Sequence, residues 1–232
     1  MTTNAIADDD NSGGNSTLDQ RLRVLFGACW LAILLGLGLQ ILILVAKSAA
    51  GANVPGAQVL VDIAGGVTWS LIVCGGVAIG TVATRSVSNA MGLLGLVCAP
   101  LAFAAAKGVQ RGTAWLNGQP MEKIGAIVIQ TGALKTIEYA MLGYLLGAII
   151  RTPASTLRNH AAIGALFGLT FGWLMIALNL VHANGAAIPA PKALGMMLNE
   201  MVFPLGCSLV IYFVASLSDR DSAMERMVAG GG

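Results

Sequence analysis

The chain has 232 residues, of which 56% are hydrophobic and only 10% charged, with a net charge of +2. A soluble domain carries about 25% charged residues, so this one cannot cover a water-facing surface; lipid has to cover it. The small net charge excludes a nucleic-acid partner argued from electrostatics, and the length leaves no room for a second large domain beside a membrane bundle.

The first twenty residues are polar, with the run Asp8-Asp9-Asp10, and contain too little apolar surface to bury. They are expected to form a disordered tail. The stretch from 24 to 46 follows Arg21 and Arg23, is too long for a signal-peptide core, and is expected to be the first transmembrane helix. Further apolar runs at 66–84, 89–106, 124–150, 161–183 and 194–217 match the ~20 residues needed to cross hydrocarbon. The expected fold is therefore all-α: a polytopic membrane bundle of about six helices over 21–217, with a short polar, glycine-rich tail over 218–232.

Orientation follows from the cationic residues. With both termini inside, Arg21, Arg23, Arg85, Arg151, Arg158, Arg220 and Arg226 fall on the cytoplasmic side, against Lys47, Lys107, Arg111, Lys123 and Lys192 outside. The outer segments 47–65 and 107–123 are expected to be the long loops. "RSVSN" (85–89) is a tight hairpin connection, and Pro153 in "RTPASTLRNH" (151–160) ends the fourth helix. Compactness and short loops suit a bacterial inner membrane.

The fourth span carries Lys135 and Glu138 near its midpoint. Each charge costs about 2.5–3.5 kcal/mol at a helix centre on insertion scales, so neither is expected to face lipid. At 100° per residue, Thr131, Lys135, Glu138, Tyr139 and Leu142 share one sector of the helix. Gly132, Thr136, Gly143 and Gly147 lie beside it, where a neighbour can approach closely, and Ala133, Leu134, Ile137, Ala140 and Met141 form the apolar back. The pair is expected to point inward, either neutralised as an i,i+3 couple or lining a polar path.

Other polar residues recur at one depth. Under an alternating topology Gln40, Gln130, Asn179, Asn199 and Glu200 all lie roughly 6–9 Å below the outer boundary. A hydrated vestibule open to one face and ending near Lys135 and Glu138 accounts for this; the drift of polar residues toward helix ends is the competing explanation. His182, at a helix end, is expected to be interfacial. The expected polar path is Lys135, Glu138, Glu200, Gln40, Gln130, Asn179 and Asn199.

Pro100 and Pro204 interrupt the backbone hydrogen bonding of the third and sixth spans. Gly164, Gly168 and Gly172, at every fourth position, predict tight packing of the fifth span on one neighbour. Trp30, Trp69 and Trp115 are expected near the interfaces and Trp173 in the core. Cys29, Cys74, Cys98 and Cys207 all fall in apolar runs, without metal-ligand spacing, and are expected to be core residues; no metal or cofactor is implied.

No phosphate loop, dinucleotide fingerprint, metalloprotease motif or serine elbow occurs in the sequence, and an intramembrane enzyme is the least favoured class. The first expectation is a small transporter- or channel-like protein for a small polar solute or ion, with the bilayer as its solvent. The alternative is a non-catalytic membrane subunit that scaffolds a larger complex, with homo-oligomer or complex formation in either case.

Overall fold

The computed structural model describes residues 9–53, 56–82, 86–118, 125–183 and 186–229, with only the backbone described at 9–21, 82 and 218–229. The described residues form six long α-helices: α1 (Asp9–Ala49), α2 (Gly56–Ile79), α3 (Val87–Leu116), α4 (Ala126–Ile149), α5 (Leu157–His182) and α6 (Ala190–Ala229). A 3₁₀ turn at Gly80–Val82 continues α2. Five of the helices are long and apolar enough to cross a membrane: α2, α3, α5, and the parts Leu22–Ala49 of α1 and Ala190–Leu217 of α6. This is the make-up of a multipass integral membrane protein. The sixth, α4, has the 24 residues of α2 but is not among the five; it carries Gln130, Lys135 and Glu138.

Facing residues fix the direction of each helix. Ser70 Oγ donates to the Ala32 carbonyl and Lys47 meets Asp62, so α1 and α2 run antiparallel. Gly143 faces Met91 while Gly132 faces Phe103, which makes α3 and α4 antiparallel. Gly164 faces Leu205 while Gly172 faces Glu200, giving the same relation for α5 and α6. The bundle closes where α6 returns to α1, with Gly206 on Leu35 and Gly195 on Lys47. One end of the molecule therefore collects the finishes of α1, α3 and α5 and the starts of α2, α4 and α6. We call it the mouth.

The periphery presents large apolar side chains such as Phe26, Leu93, Leu101, Ile129 and Trp173, as a lipid-covered bundle requires. The centre, away from the mouth, is mostly apolar: Val73, Val77, Met91, Leu142, Leu146, Ile211 and Val214 are fully buried with Cys74 and Cys207, and Ser208 is buried among them.

Several helix limits differ from the expected spans. The helix α2 begins at Gly56, ten residues before the expected start, and α3 runs on to Leu116 through residues expected to form an outer loop. Several polar residues in these extensions turn inward: Asp62 accepts from Gln58 and Lys47, and Lys107 and Gln110 line the interior. Helix α1 starts at Asp9, inside the segment expected to be a disordered tail, and α6 continues to Ala229. Residues 1–8 and 230–232 of the expected tails lie outside the described residues, as do Arg85 and Lys123 of the charge count.

The tryptophan expectations are corrected in two places. Because α2 starts early, Trp69 falls in mid-helix and packs against Phe103, Tyr139 and Phe203 in the interior. Trp173 is 64% exposed, on the lipid side of α5 away from its glycine stripe. Trp30 and Trp115 also point outward. The cysteines are all free; Cys74 and Cys207 are core residues, whereas Cys29 and Cys98 are only half-buried.

Candidate functional site: a polar cavity ending on a buried ion cluster

Helix α4 buries Lys135, Glu138, Tyr139, Leu142, Gly143, Leu146 and Gly147, and exposes Ile137 and Met141. The polar stripe thus faces inward and the glycine stripe faces α3. Gly95 on α3 sits directly on the Tyr139 carbonyl, where no side chain fits. This close approach sets the depth at which α4 presents Lys135 and Glu138 to the bundle centre.

The Lys135 ammonium donates to Glu138 Oε2 at 2.7 Å, one turn along the same helix. It also makes an ion pair with Glu200 Oε2 on α6. Its nitrogen lies 5.6 Å from the centre of the Tyr139 ring, over the π face. One cation therefore ties α4 to α6 between two carboxylates. Glu200 Oε1 accepts from the Asn199 side-chain amide at 3.1 Å. Among the described residues, Glu138 Oε1 and Tyr139 Oη have no hydrogen-bond partner although both are buried. Unpartnered polar atoms in an apolar interior are costly; His160 Nε2, at the far end of the bundle, is another.

The two carboxylates differ in access. The Glu138 side chain is sealed at 0% exposure, whereas Glu200 retains 11%. Glu200 and Lys135 line a cavity of about 160 Å³. Its walls are the rings of Trp69, Phe103 and Phe203, its polar rim Gln40, Gln110, Thr131 and Asn199, with Lys107 above. A wider chamber of about 540 Å³ adjoins it toward the mouth, sharing Gln40, Lys107, Gln110, Asn199 and Glu200 and reaching Lys47, Asp62 and Lys192. Lys47 and Asp62 face each other there at 3.4 Å.

Trp69 is the hub of the aromatic wall. Its ring centre lies 6.4 Å from Phe103, 5.6 Å from Tyr139 and 6.1 Å from Phe203, edge-on or tilted in each case. Such contacts hold the rings in fixed orientations. Gly65 and Gly66 on α2 lie against the side chains of Gln110 and Gln40, respectively, so the missing side chains there make room for both amides.

Of the residues expected to share a polar path, the structure brings together Lys135, Glu138, Glu200, Gln40 and Asn199. Gln130 is exposed and lines neither chamber. Asn179 donates back to the Met175 carbonyl of its own helix at 2.9 Å and also stays outside the cavity. Their depth is that of the belt, but depth alone does not set direction around a helix. Conversely, Lys107 and Gln110 belong to the cavity and were hidden in an expected loop. The spacing of Phe103, Ala106, Lys107 and Gln110 on one helical face was the available signal.

His182 is exposed, and its Nδ1 lies 2.9 Å from the Leu178 carbonyl of its own helix. At the far end from the mouth, His160 is buried against the Tyr212 ring at 5.2 Å. Among the described residues no group of three or more His, Cys, Asp or Glu is placed to hold a metal ion. No protein-family model, curated protein or solved structure matches this chain.

Proposed function

We propose that the protein is a small transporter- or channel-like membrane protein, and that a small polar solute or ion enters through the mouth and engages the Lys135–Glu138–Glu200 cluster. The observation that carries this reading is the continuity of polar lining from Lys192 at the mouth to Glu200 and Lys135 in mid-bundle. A charge cluster serving only to lock helices needs no polar approach from one face. Intramembrane ionisable groups that line a cavity are the ordinary signature of a solute or proton path.

In this proposal α4 is a sixth crossing, its charges carried across by the inward stripe. The mouth opens to the outer face, both termini lie inside, and the membrane is a bacterial inner membrane; the arginine bias and short connections support that placement. The apolar side chains of Val73, Val77, Leu142, Leu146 and Ile211 fill most of the inner half, and the proposal takes this arrangement as the outward-open state of an alternating-access cycle.

A second reading is a non-catalytic subunit of a larger complex. It draws on an apolar groove between α3 and α4 on the outer surface, lined by Gly92, Leu93, Leu96, Ala140, Met141 and Tyr144. Flux in proteoliposomes separates the two. Glu200→Gln and Glu138→Gln are expected to abolish uptake while the protein still elutes as a folded species. Absence of uptake by the wild type across ions and small polar solutes, with a stoichiometric partner recovered in mild detergent, favours the subunit instead.

A further inference from the structure

The charged side chains around the two chambers are unequal in sign. Their linings carry Lys47, Lys107, Lys135 and Lys192 against Asp62 and Glu200. Adding the sealed Glu138 still leaves an ammonium in excess. Arg111, near the end of α3, adds a further cation at the mouth, while Glu122 and Lys123 of the α3–α4 connection cancel. An ion pair removes one charge of each sign, so the excess is the same however these side chains pair. Both lining carboxylates are also engaged: Asp62 accepts from Gln58 and Lys47, and Glu200 holds Lys135 and accepts from Asn199. Lys192, in the first turn of α6, has no carboxylate partner among the described residues. An anion entering from the mouth therefore meets a net positive lining, and low-dielectric walls strengthen its attraction over that in bulk water.

The rest of the lining defines that anion. Gln40, Lys107 and Gln110 belong to both chambers and form a neck between them. Among the described residues neither glutamine side chain has a hydrogen-bond partner; packed against Gly66 and Gly65, they hold two amides with donors to spare at the neck. Below them the rings of Trp69, Phe103 and Phe203 wall the floor, a surface that favours an apolar group over water. Glu200 lies at that floor and repels a negative head, so the head stays at the neck, beside Lys107 with Lys192 toward the mouth, and the apolar body points down. A single water needs about 10–15 Å³ of such volume, whereas the floor offers about 160 Å³ and the outer chamber about 540 Å³, room for a molecule of several heavy atoms. Asp62 and Glu200 disfavour a ligand with more than one negative charge.

We propose that the chambers bind a small organic monocarboxylate, its carboxylate at the neck among Lys107, Lys192, Gln40 and Gln110 and its apolar body against Trp69, Phe103 and Phe203. This rests on the transport reading and deepens it by naming the class of solute. The α4–α6 ion pair stays closed beneath the bound molecule.

The test uses the full chain in nanodiscs of zwitterionic lipid with Trp30, Trp115 and Trp173 replaced by Phe, which leaves Trp69 as the reporter. Cyclohexanecarboxylate is the probe; cyclohexanecarboxamide is its uncharged isostere and cyclohexylammonium the cation of similar shape. The carboxylate is expected to change Trp69 fluorescence saturably and the other two not to. Lys107→Gln is expected to weaken its binding by about tenfold, and Lys192→Gln, at a more exposed position, by about threefold. Phe103→Leu, which leaves every charge in place, is expected to weaken it by about fivefold. Glu200→Gln removes a negative charge from the floor and is expected to tighten it by about threefold or more. The proposal fails if cyclohexanecarboxylate gives no saturable signal, or if the carboxamide, cyclohexylammonium or sodium chloride reproduces it. It fails equally if Glu200→Gln weakens binding, or if Lys192→Gln and Phe103→Leu both leave it unchanged. Carboxylate binding without uptake ends the transport reading but keeps the site; uptake of another solute with no carboxylate binding ends this proposal alone.

Discussion

Removing the Lys135 ammonium leaves Glu138 and Glu200 facing each other in the bundle centre with no cation between them. Breaking a buried pair by removing one partner costs about 3–5 kcal/mol, and here two carboxylates are orphaned together. Lys135→Met is therefore expected to lower the thermal midpoint in detergent by more than either carboxylate substitution. Adding Glu200→Gln to Lys135→Met is expected to recover part of the loss. If the double variant is less stable than Lys135→Met alone, the two carboxylates do not oppose each other as described. Ser70 offers a neutral comparison: its buried hydroxyl joins α2 to the Ala32 carbonyl of α1 at 2.6 Å. Interhelical bonds of this kind are worth about 0.6 kcal/mol on average in membrane bundles, so Ser70→Ala is expected to shift the same midpoint only slightly.

At the scale of helices, the glycine stripe of α5 gives a contrast within one face. A Cβ on Gly168 would lie 2.5 Å from the Met201 carbonyl oxygen, whereas one on Gly172 would lie 3.4 Å from its nearest neighbour, Glu200 Cβ. Backbone cannot yield as a side chain tip can. Gly168→Ala is expected to cost about 1–3 kcal/mol by overpacking, measured by unfolding in detergent, and Gly172→Ala to fall within about 0.5 kcal/mol. Equal effects at the two positions would show that α5 and α6 do not meet as described. The neighbour itself, α6, was not readable from the spacing of the glycines, which states only that something comes close. The inward face of α4 was readable, because Thr131, Lys135, Glu138 and Tyr139 recur at the helical period and two full charges cannot face lipid. The start of α2 and the end of α3 were not. In "KGVQRGTAWL" (107–116) charge and glycine mimic a loop, yet the helix continues and Lys107 and Gln110 line the cavity. Gln130 and Asn179 failed for a related reason: position along a helix axis fixes depth, while the angle around it decides which residues meet. Pro204 adds a property of α6 that sequence and structure give together. Its missing N–H leaves the carbonyl of Glu200, four residues earlier, without its helical partner, so the helix is loosened at the residue that holds Lys135.

For the molecule as a whole, the decisive feature is asymmetry along the bundle axis. Polar side chains from α1, α2, α3 and α6 surround the mouth half, and Gln40, Gln110 and Asn199 mark its deeper level. The other half is filled mainly by apolar side chains, Val73, Val77, Leu142, Leu146 and Ile211 among them, with Ser208 and His160 as buried polar residues. Water and small reagents should therefore reach the cluster from one face only. In a chain whose four cysteines are replaced by Ala, Gln110→Cys and Asn199→Cys are expected to react with a membrane-impermeant thiol reagent applied to the face that labels Lys192→Cys. A cysteine at Leu146 is expected to resist the reagent from both faces. The rates at 110 and 199 should fall when the floor is occupied, because Gln110 and Asn199 line the same cavity as Glu200. A cysteine at Asn179, which bonds its own helix outside the cavity, should show no such protection. Labelling of Gln110→Cys from the face opposite Lys192→Cys, or of Leu146→Cys as fast as Asn199→Cys, would contradict a cavity closed at the floor. In that event the ion cluster would sit in a continuous pore, and the alternation between open faces inferred from the apolar half would have to be abandoned.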